Sequence, residues 1–115
     1  MTPTTSSRLG GMQIGILLLA TATALIHLWL GISAGLIMFI ANGLGYLTLA
    51  AAAYLPIAAL ANLRKWAKWG LLAFTAVTII GWVLIGERST IGFVDKAIEV
   101  LLIILLFLDL RQQPG

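Results

Sequence analysis

An acidic residue, Glu99, lies in the middle of the hydrophobic segment that runs from Ile91 to Asp109. A helix crosses the hydrocarbon core of a bilayer with about 20 residues, at roughly 1.5 Å per residue. If Asp109 marks one membrane surface and Ser89 the other, Glu99 lies about 15 Å from each. Ionisable side chains are rare at this depth, because insertion costs roughly 2.5–3.5 kcal/mol for Asp, Lys or Arg. Glu99 therefore indicates either a compensating partner or a functional site.

The acids of this segment share one helical face. At about 100° per residue, Asp95, Glu99 and Asp109 fall within one stripe, which should face protein rather than lipid. Lys96 could pair with Glu99 at i,i+3, or extend its ammonium group to the headgroups. We favour a satisfied polar network that fixes helix packing. The alternative is that Glu99 carries a proton during transport.

The single histidine, His27, lies in the first hydrophobic segment. Counted at about 1.5 Å per residue, it lies roughly 24 Å from Gly11, and Asp95 lies roughly 21 Å from Asp109. If both counts start at the same surface, the two side chains lie at similar depth. A hydrogen bond from His27 to Asp95 or Glu99 would fix the imidazole tautomer or form a proton-accepting pair. The predicted polar network, in the outer half of a helical bundle, consists of His27, Asp95, Lys96 and Glu99.

His27 could instead be the axial ligand of a haem or a bacteriochlorophyll. Pigment-binding helices place a small residue and a Trp near such a ligand, and Ala24 and Trp29 lie close to His27 here. A buried, hydrogen-bonded histidine is the simpler interpretation, so no cofactor is expected beyond this alternative. The absence of Cys and the single His exclude thiol chemistry and multi-histidine metal sites. No catalytic residue set and no metal site are predicted.

Two G-x-x-x-G patterns occur in the first hydrophobic segment and its extension. This spacing lets the backbones of neighbouring membrane helices approach closely, although the motif is common. The glycines expected to take part in helix packing are Gly11, Gly15, Gly31 and Gly35.

The composition predicts an all-α integral membrane protein, a four-helix bundle with short loops. Of the 115 residues, 61% are hydrophobic and 10% charged, whereas soluble domains are nearer 45–50% and about 25%. The spans are predicted at about 11–31, 43–61, 69–86 and 90–110, within a domain of residues 11–111. The apolar stretch 32–41 is too short to span and is predicted to form a re-entrant or interfacial turn. Asn42 should cap the second helix, Pro56 should kink or end it, and Ser89 or Thr90 should cap the fourth.

The basic residues predict the orientation of the chain. Four spans place both termini on one side, and most of the Lys and Arg residues fall on that side. By the positive-inside rule, the tails 1–10 and 112–115 are cytoplasmic and the protein lies in the inner (cytoplasmic) membrane. The net charge of +3 comes from few residues that flank apolar segments, so nucleic-acid binding is not indicated. The basic residues on the cytoplasmic side are Arg8, Arg64, Lys65, Lys68 and Arg111.

One further pattern combines the segment Gly92–Glu99 with His27, Asn42–Gly45 and Gly81-Trp82. With these residues the chain resembles a group of small uncharacterised prokaryotic four-span membrane proteins. That resemblance implies a four-helix membrane fold and brings no known activity. The chain is also similar in size to small multidrug-resistance transporters, but those carry an essential Glu in the first helix, which has no acid here. It is similar in size to small fluoride channels too, without their hallmark polar residues.

Three functions remain compatible with these observations. The first, which we favour, is a non-enzymatic accessory or structural subunit that stabilises helix packing or assembly in a larger respiratory or photosynthetic membrane complex. The second is a small oligomeric proton-coupled transporter or channel that uses Glu99, and the third is a pigment- or haem-binding protein with His27 as axial ligand. The expected partners are the lipid bilayer and either other membrane subunits or further copies of the chain.

Overall fold

The computed structural model describes residues 10–55, 58–86 and 88–112, which form an all-α fold. Its α-helices are α1 (Gly11–Ala34), α2 (Ile37–Tyr54), α3 (Arg64–Ile85) and α4 (Thr90–Gln112), with a short 3-10 helix at Ala58–Leu63. Three stretches are long and apolar enough to cross a membrane: Gly11–Ala34, Ile37–Tyr54 and Ala61–Ile85. The predicted fourth span, α4, has a similar length, but its charged residues make it less apolar than these three stretches. Most of both predicted tails lies outside the described residues.

The described helices form a ring in which each packs against two neighbours. The packed pairs are α1 with α2, α2 with α3, α3 with α4, and α4 with α1. Ile16, Tyr46, Leu71 and Leu102, one from each helix, are fully or almost fully buried at the centre. Because α1 and α4 pack side by side, the polar face of α1 can meet the acidic face of α4. This arrangement positions the candidate site.

The connection between α1 and α2 is tighter than predicted. Gly35 takes a left-handed conformation with φ of 69°, and the Leu36 N–H bonds to the Gly31 carbonyl at 2.8 Å. Such a glycine ends a helix and reverses the chain within a few residues. The predicted re-entrant turn at 32–41 is therefore wrong, because most of these residues extend α1 and α2. Asn42 does not cap α2; it lies inside that helix and donates a hydrogen bond to Thr78 on α3.

The connection between α2 and α3 also differs from the predicted boundaries of 61 and 69. α2 ends at Tyr54, and Leu55 is extended with ψ of 138°. A residue that precedes proline disfavours the helical region, which explains the early end; Pro56 itself lies outside the described residues. α3 begins at Arg64, after the 3-10 helix. At the start of α4, Ser89 accepts a hydrogen bond from the Gly92 N–H at 3.1 Å, so Ser89 is the cap.

The glycines of α1 divide into two groups. A Cβ on Gly31 would lie 2.7 Å from the Ile40 side chain and 2.8 Å from the Ile40 nitrogen, and one on Gly15 would contact Leu105 at 3.6 Å. These two glycines therefore lie at helix contacts, as predicted for packing glycines. No described atom beyond the local backbone lies within 4 Å of a Cβ built on Gly11 or Gly35. Gly11 and Gly35 thus depart from the packing prediction, and the role of Gly35 is to form the turn.

Gly43, on α2, makes a close backbone contact that can be tested. A Cβ there would lie 2.8 Å from the Ala24 carbonyl oxygen and 2.7 Å from Leu28, both on α1. We expect Gly43→Ala to lower the free energy of unfolding by about 1–3 kcal/mol, because the backbone carbonyl cannot move without separating the helices. Reversible unfolding in detergent measures this change. Gly81→Ala is the matched control, since its Cβ would meet nothing within 4 Å; equal losses in both variants would contradict the argument.

Candidate polar site between α1, α2 and α4

A group of polar side chains from three helices meets inside the bundle, and we call it the outer cluster. All of its members are buried, and Glu99 is fully inaccessible. α1 contributes one helical face, α2 a tyrosine, and α4 the stripe that carries the acids. Because i and i+4 lie on one helical face, residues four apart on α1 and on α4 can point into the same contact. The outer cluster consists of Thr23, His27, Tyr46, Asp95, Lys96 and Glu99.

Hydrogen-bond donors of three side chains of the outer cluster reach the Glu99 carboxylate. The Tyr46 hydroxyl donates to Glu99 Oε2 at 2.8 Å, and the Lys96 ammonium donates to Oε1. The Thr23 hydroxyl lies 2.9 Å from Oε2. The Glu99 carboxylate therefore links α4 to both α1 and α2 within the apolar interior.

Asp95 repeats this pattern one helical turn away. Thr23 Oγ1 lies 2.5 Å from Asp95 Oδ1, and Lys96 Nζ lies 3.2 Å from Oδ2. Lys96 is thus shared between the two acids, as the i,i+3 spacing to Glu99 indicates. A hydroxyl has one hydrogen, so Thr23 can donate to Asp95 or to Glu99, but not to both at once.

His27 contacts this group with one ring nitrogen and the backbone with the other. Nδ1 lies 2.8 Å from the Thr23 carbonyl oxygen and must donate to it, which leaves Nε2 directed at the acids. Nε2 lies 3.6 Å from Asp95 Oδ2 and 3.9 Å from Glu99 Oε2. The ring packs against Phe39 and Tyr46, with centroids 5.6 and 5.8 Å away.

These contacts bear on the haem or bacteriochlorophyll alternative at His27. An axial ligand needs a flat macrocycle directly in front of its free ring nitrogen. In front of Nε2 lie the carboxyl groups of Asp95 and Glu99, and the ring sides are covered by Phe39 and Tyr46. The residues present do not fit a tetrapyrrole at this nitrogen.

A second polar group, the inner cluster, joins all four helices nearer the other end of α4. Asp109 is fully buried and accepts hydrogen bonds from Gln13 at 2.7 Å and from the Tyr54 hydroxyl at 2.7 Å. Lys68 lies 3.0 Å from the same carboxylate and 5.1 Å from the centre of the Tyr54 ring. The inner cluster consists of Gln13, Tyr54, Lys68 and Asp109.

The structure brings together the four residues of the predicted network, namely His27, Asp95, Lys96 and Glu99. Sequence reasoning missed Tyr46 and Tyr54 and treated Lys68 only as a topology determinant. A signal for Lys68 was present, because Leu71 and Leu72 follow it at i+3 and i+4 and place it beside apolar residues on α3. The tyrosines had a weaker signal: each is the only residue in its stretch of α2 with a hydroxyl long enough to reach a neighbouring helix.

The two clusters can do different things chemically. The inner cluster is a closed set in which a single carboxylate is matched by an ammonium group and two neutral donors. The outer cluster has two carboxylates, a single ammonium group and an imidazole nitrogen without a hydrogen-bond donor among the described residues. It can therefore hold helices together, and it can also accept a cation. The Thr23 hydroxyl lies 3.4 Å from His27 Nδ1, but that nitrogen carries the hydrogen donated to the Thr23 carbonyl oxygen, so it cannot act as a base toward the hydroxyl.

Comparison with known proteins gives no relative from which a role can be taken. No family model matches the chain, no curated protein matches it, and no solved structure matches its fold. The function must therefore be argued from the geometry of the described residues.

Proposed function

We propose that this chain is a non-enzymatic integral membrane subunit that stabilises the assembly of a larger membrane complex, respiratory or photosynthetic. One observation carries the proposal: the buried charged groups of the described helices pair inside the bundle, while most of the large side chains on its outer surface are apolar. Large hydrophobic side chains are exposed on every described α-helix, including Leu25, Met38, Leu84 and Phe107. The exposed apolar side chains of such a chain can contact other membrane helices, and little of the chain extends beyond the bilayer.

Two contacts support α4 as a fourth span. The inner cluster ties Asp109 to Gln13, and the outer cluster ties Asp95 to Thr23. The two acids lie roughly 21 Å apart along α4, at about 1.5 Å per residue. α4 therefore runs beside α1 over most of the hydrocarbon thickness, and its charges are matched inside the bundle rather than exposed to lipid.

The distribution of charge and tryptophan supports cytoplasmic termini in the inner membrane. Lys65, Trp66 and Trp69 lie at one end of α3, with Trp66 76% exposed, as at a membrane interface. At the other end, the Arg88 guanidinium stacks over the Trp82 ring at 4.3 Å. The basic excess at the first end makes it the cytoplasmic side.

The turn between α1 and α2 is the surface we assign to the partner subunit. Ile37 and Met38 are 72% and 75% exposed, and no charged residue lies between Arg8 and Arg64 to anchor this turn. Asn42 bonds to Thr78, which places the turn near the same end of the bundle as Arg88. Where this turn projects beyond the hydrocarbon core into water, burying its apolar surface would stabilise a contact by about 25 cal/mol per Å². A membrane subunit that covers the turn would gain this stabilisation.

Purification in mild detergent followed by mass spectrometry tests the proposal. We expect a defined set of membrane proteins to co-purify in fixed proportion with the tagged chain. The variant Ile37→Ser/Met38→Ser should release these proteins, because it makes the turn polar without touching the bundle core. Leu84→Ser, a 74% exposed residue at the same end of α3, is the control and should retain them. A wild-type chain that migrates alone as a monomer would refute the proposal.

A further inference from the structure

Three atoms with free electron pairs converge in the outer cluster. One ligand atom each from His27, Asp95 and Glu99 lies within 4.8 Å of the others, and all three residues are buried. Lys96 and the hydroxyls of Thr23 and Tyr46 reach the carboxylate oxygens. None of these donors bonds to His27 Nε2 within the part of the chain that the structure describes. Nε2 therefore faces two carboxylates and no hydrogen-bond donor among the described residues.

The orientation of His27 matches that of a metal-binding histidine. Its Nδ1–H is donated to the Thr23 carbonyl at 2.8 Å, so that in the neutral imidazole the lone pair is on Nε2. Metal-binding histidines commonly donate their second ring nitrogen to a backbone carbonyl or a carboxylate in this way. The side chain is 7% exposed, so this nitrogen points into protein rather than water.

The distances around Nε2 suit a shared metal ion better than a hydrogen bond. Nε2 lies 3.6 Å from Asp95 Oδ2 and 3.9 Å from Glu99 Oε2, beyond the usual range of about 2.7–3.2 Å for a hydrogen bond. Two ligands that each lie about 2.1 Å from one metal ion at a tetrahedral angle are about 3.4 Å apart. A cation between these atoms would therefore need only small side-chain adjustments.

We propose that His27, Asp95 and Glu99 form a binding site for a divalent transition-metal cation such as Zn²⁺, which would join α1 to α4. One imidazole and two carboxylates make a nitrogen and oxygen donor set that suits Zn²⁺, Fe²⁺ or Mn²⁺, and the chain has no thiolate to favour Cu⁺. This site departs from the sequence-based expectation of no metal site, which considered only cysteines and multiple histidines. It does not depend on the proposed subunit function.

Lys96 is the competing occupant of this site. Its ammonium group pairs with both carboxylates, so it supplies the positive charge that a metal ion would otherwise supply. Lys96 is 8% exposed and lies at the edge of the cluster. A lysine has a long flexible stem, so its charged end can move outward when a metal ion binds. Removing this charge should therefore strengthen metal binding, whereas removing a ligand should abolish it.

Titrating the purified full-length chain in detergent with Zn²⁺, with the heat of binding measured by calorimetry, tests the site. We expect one Zn²⁺ per chain in the wild type and an affinity at least about 100-fold lower for Glu99→Gln, since losing even an indirect partner of a ligand costs 10–100-fold. Lys96→Met should raise the affinity about tenfold or more, because a nearby positive charge is removed. Arg111→Met, which removes an exposed charge from the same helix, is the control and should leave the affinity unchanged.

A second readout is the visible absorption spectrum of Co²⁺ bound in place of Zn²⁺. The wild type should show the absorption bands of tetrahedral or five-coordinate Co²⁺, and His27→Gln should lack them. Absence of saturable zinc binding by the wild type would overturn the proposal, as would wild-type affinity in both Glu99→Gln and His27→Gln. If these two variants do not fold, Lys96→Met decides: an unchanged or lower affinity would overturn the site, and a higher one would support it.

Discussion

Asp109→Asn is expected to lower the free energy of unfolding by about 3–5 kcal/mol, which is the usual cost of removing one partner of a buried ion pair. Asp109 is fully buried, and Lys68 lies 3.0 Å away while being 7% exposed itself. In the variant, the Lys68 ammonium would remain inside the bundle without a counter-charge. The amide would also present a donor to Tyr54 or Gln13, both of which already donate to this position.

Reversible unfolding in mixed detergent micelles measures this loss, and a double-mutant cycle separates the ion pair from its surroundings. The combined variant Lys68→Met/Asp109→Asn should recover part of the stability, because it leaves no buried ammonium group without a counter-charge, and Asp109→Asn and Lys68→Met are the single variants of the cycle. If the loss in free energy of unfolding of the double variant equals the sum of the losses of the two single variants, the two charges do not interact. Thr48→Ala is a suitable reference, since its exposed hydroxyl donates to the Leu44 carbonyl of its own helix.

Single cysteines at positions 88 and 112 are expected to be labelled from opposite sides of the membrane, with nearly complete reaction from one side and none from the other. The chain has no Cys, so Arg88→Cys and Gln112→Cys each provide a unique thiol, and both positions are exposed. Position 88 lies just before α4, and position 112 is the last residue of α4. The result follows from the proposed fourth span, because α4 is tied to α1 at Asp95 and again at Asp109.

A membrane-impermeant thiol reagent applied to intact cells and to inverted vesicles distinguishes the two sides. Arg64→Cys, at the start of α3, is the control and should react from the same side as Gln112→Cys. Reaction of Arg88→Cys and Gln112→Cys from one side would mean that α4 does not cross the bilayer, and the proposed topology would then be wrong.

The members of the outer cluster on α1 and α4 were predictable from the sequence, because the rise per residue and the helical repeat vary little among helices. A rise of about 1.5 Å per residue placed His27 and Asp95 at similar depth, and the helical repeat placed Asp95 and Glu99 on one face. Both arguments need only the position of a residue within its own helix. The participation of Tyr46 was not predictable in this way, because it depends on how α2 is rotated about its axis.

The limits of α1 and α2 were predicted less well, for a related reason. Membrane helices are apolar on all sides, so the hydrophobic pattern does not show where one helix ends when the turn itself is apolar. The stretch from Ile32 to Ala41 contains no charge and no proline, and the turn depends on a single left-handed glycine, Gly35. Lys68 and Asp109 were each assigned to a membrane surface because their pairing across two helices is invisible in either segment alone.

The acids on α4 have a consequence for the synthesis of the protein. In the proposed four-span topology, α1, α2 and α3 leave the ribosome before α4, so Thr23, Tyr46 and Tyr54 would enter the bilayer before the carboxylates to which they donate. α4 meets the opposite difficulty, because Asp95 and Glu99 oppose its entry into lipid unless those donors are already in place. Membrane helices generally insert first and associate afterwards. In the proposed four-span topology, insertion and association of α4 would therefore be coupled in a single step, with the three earlier helices providing the contact surface.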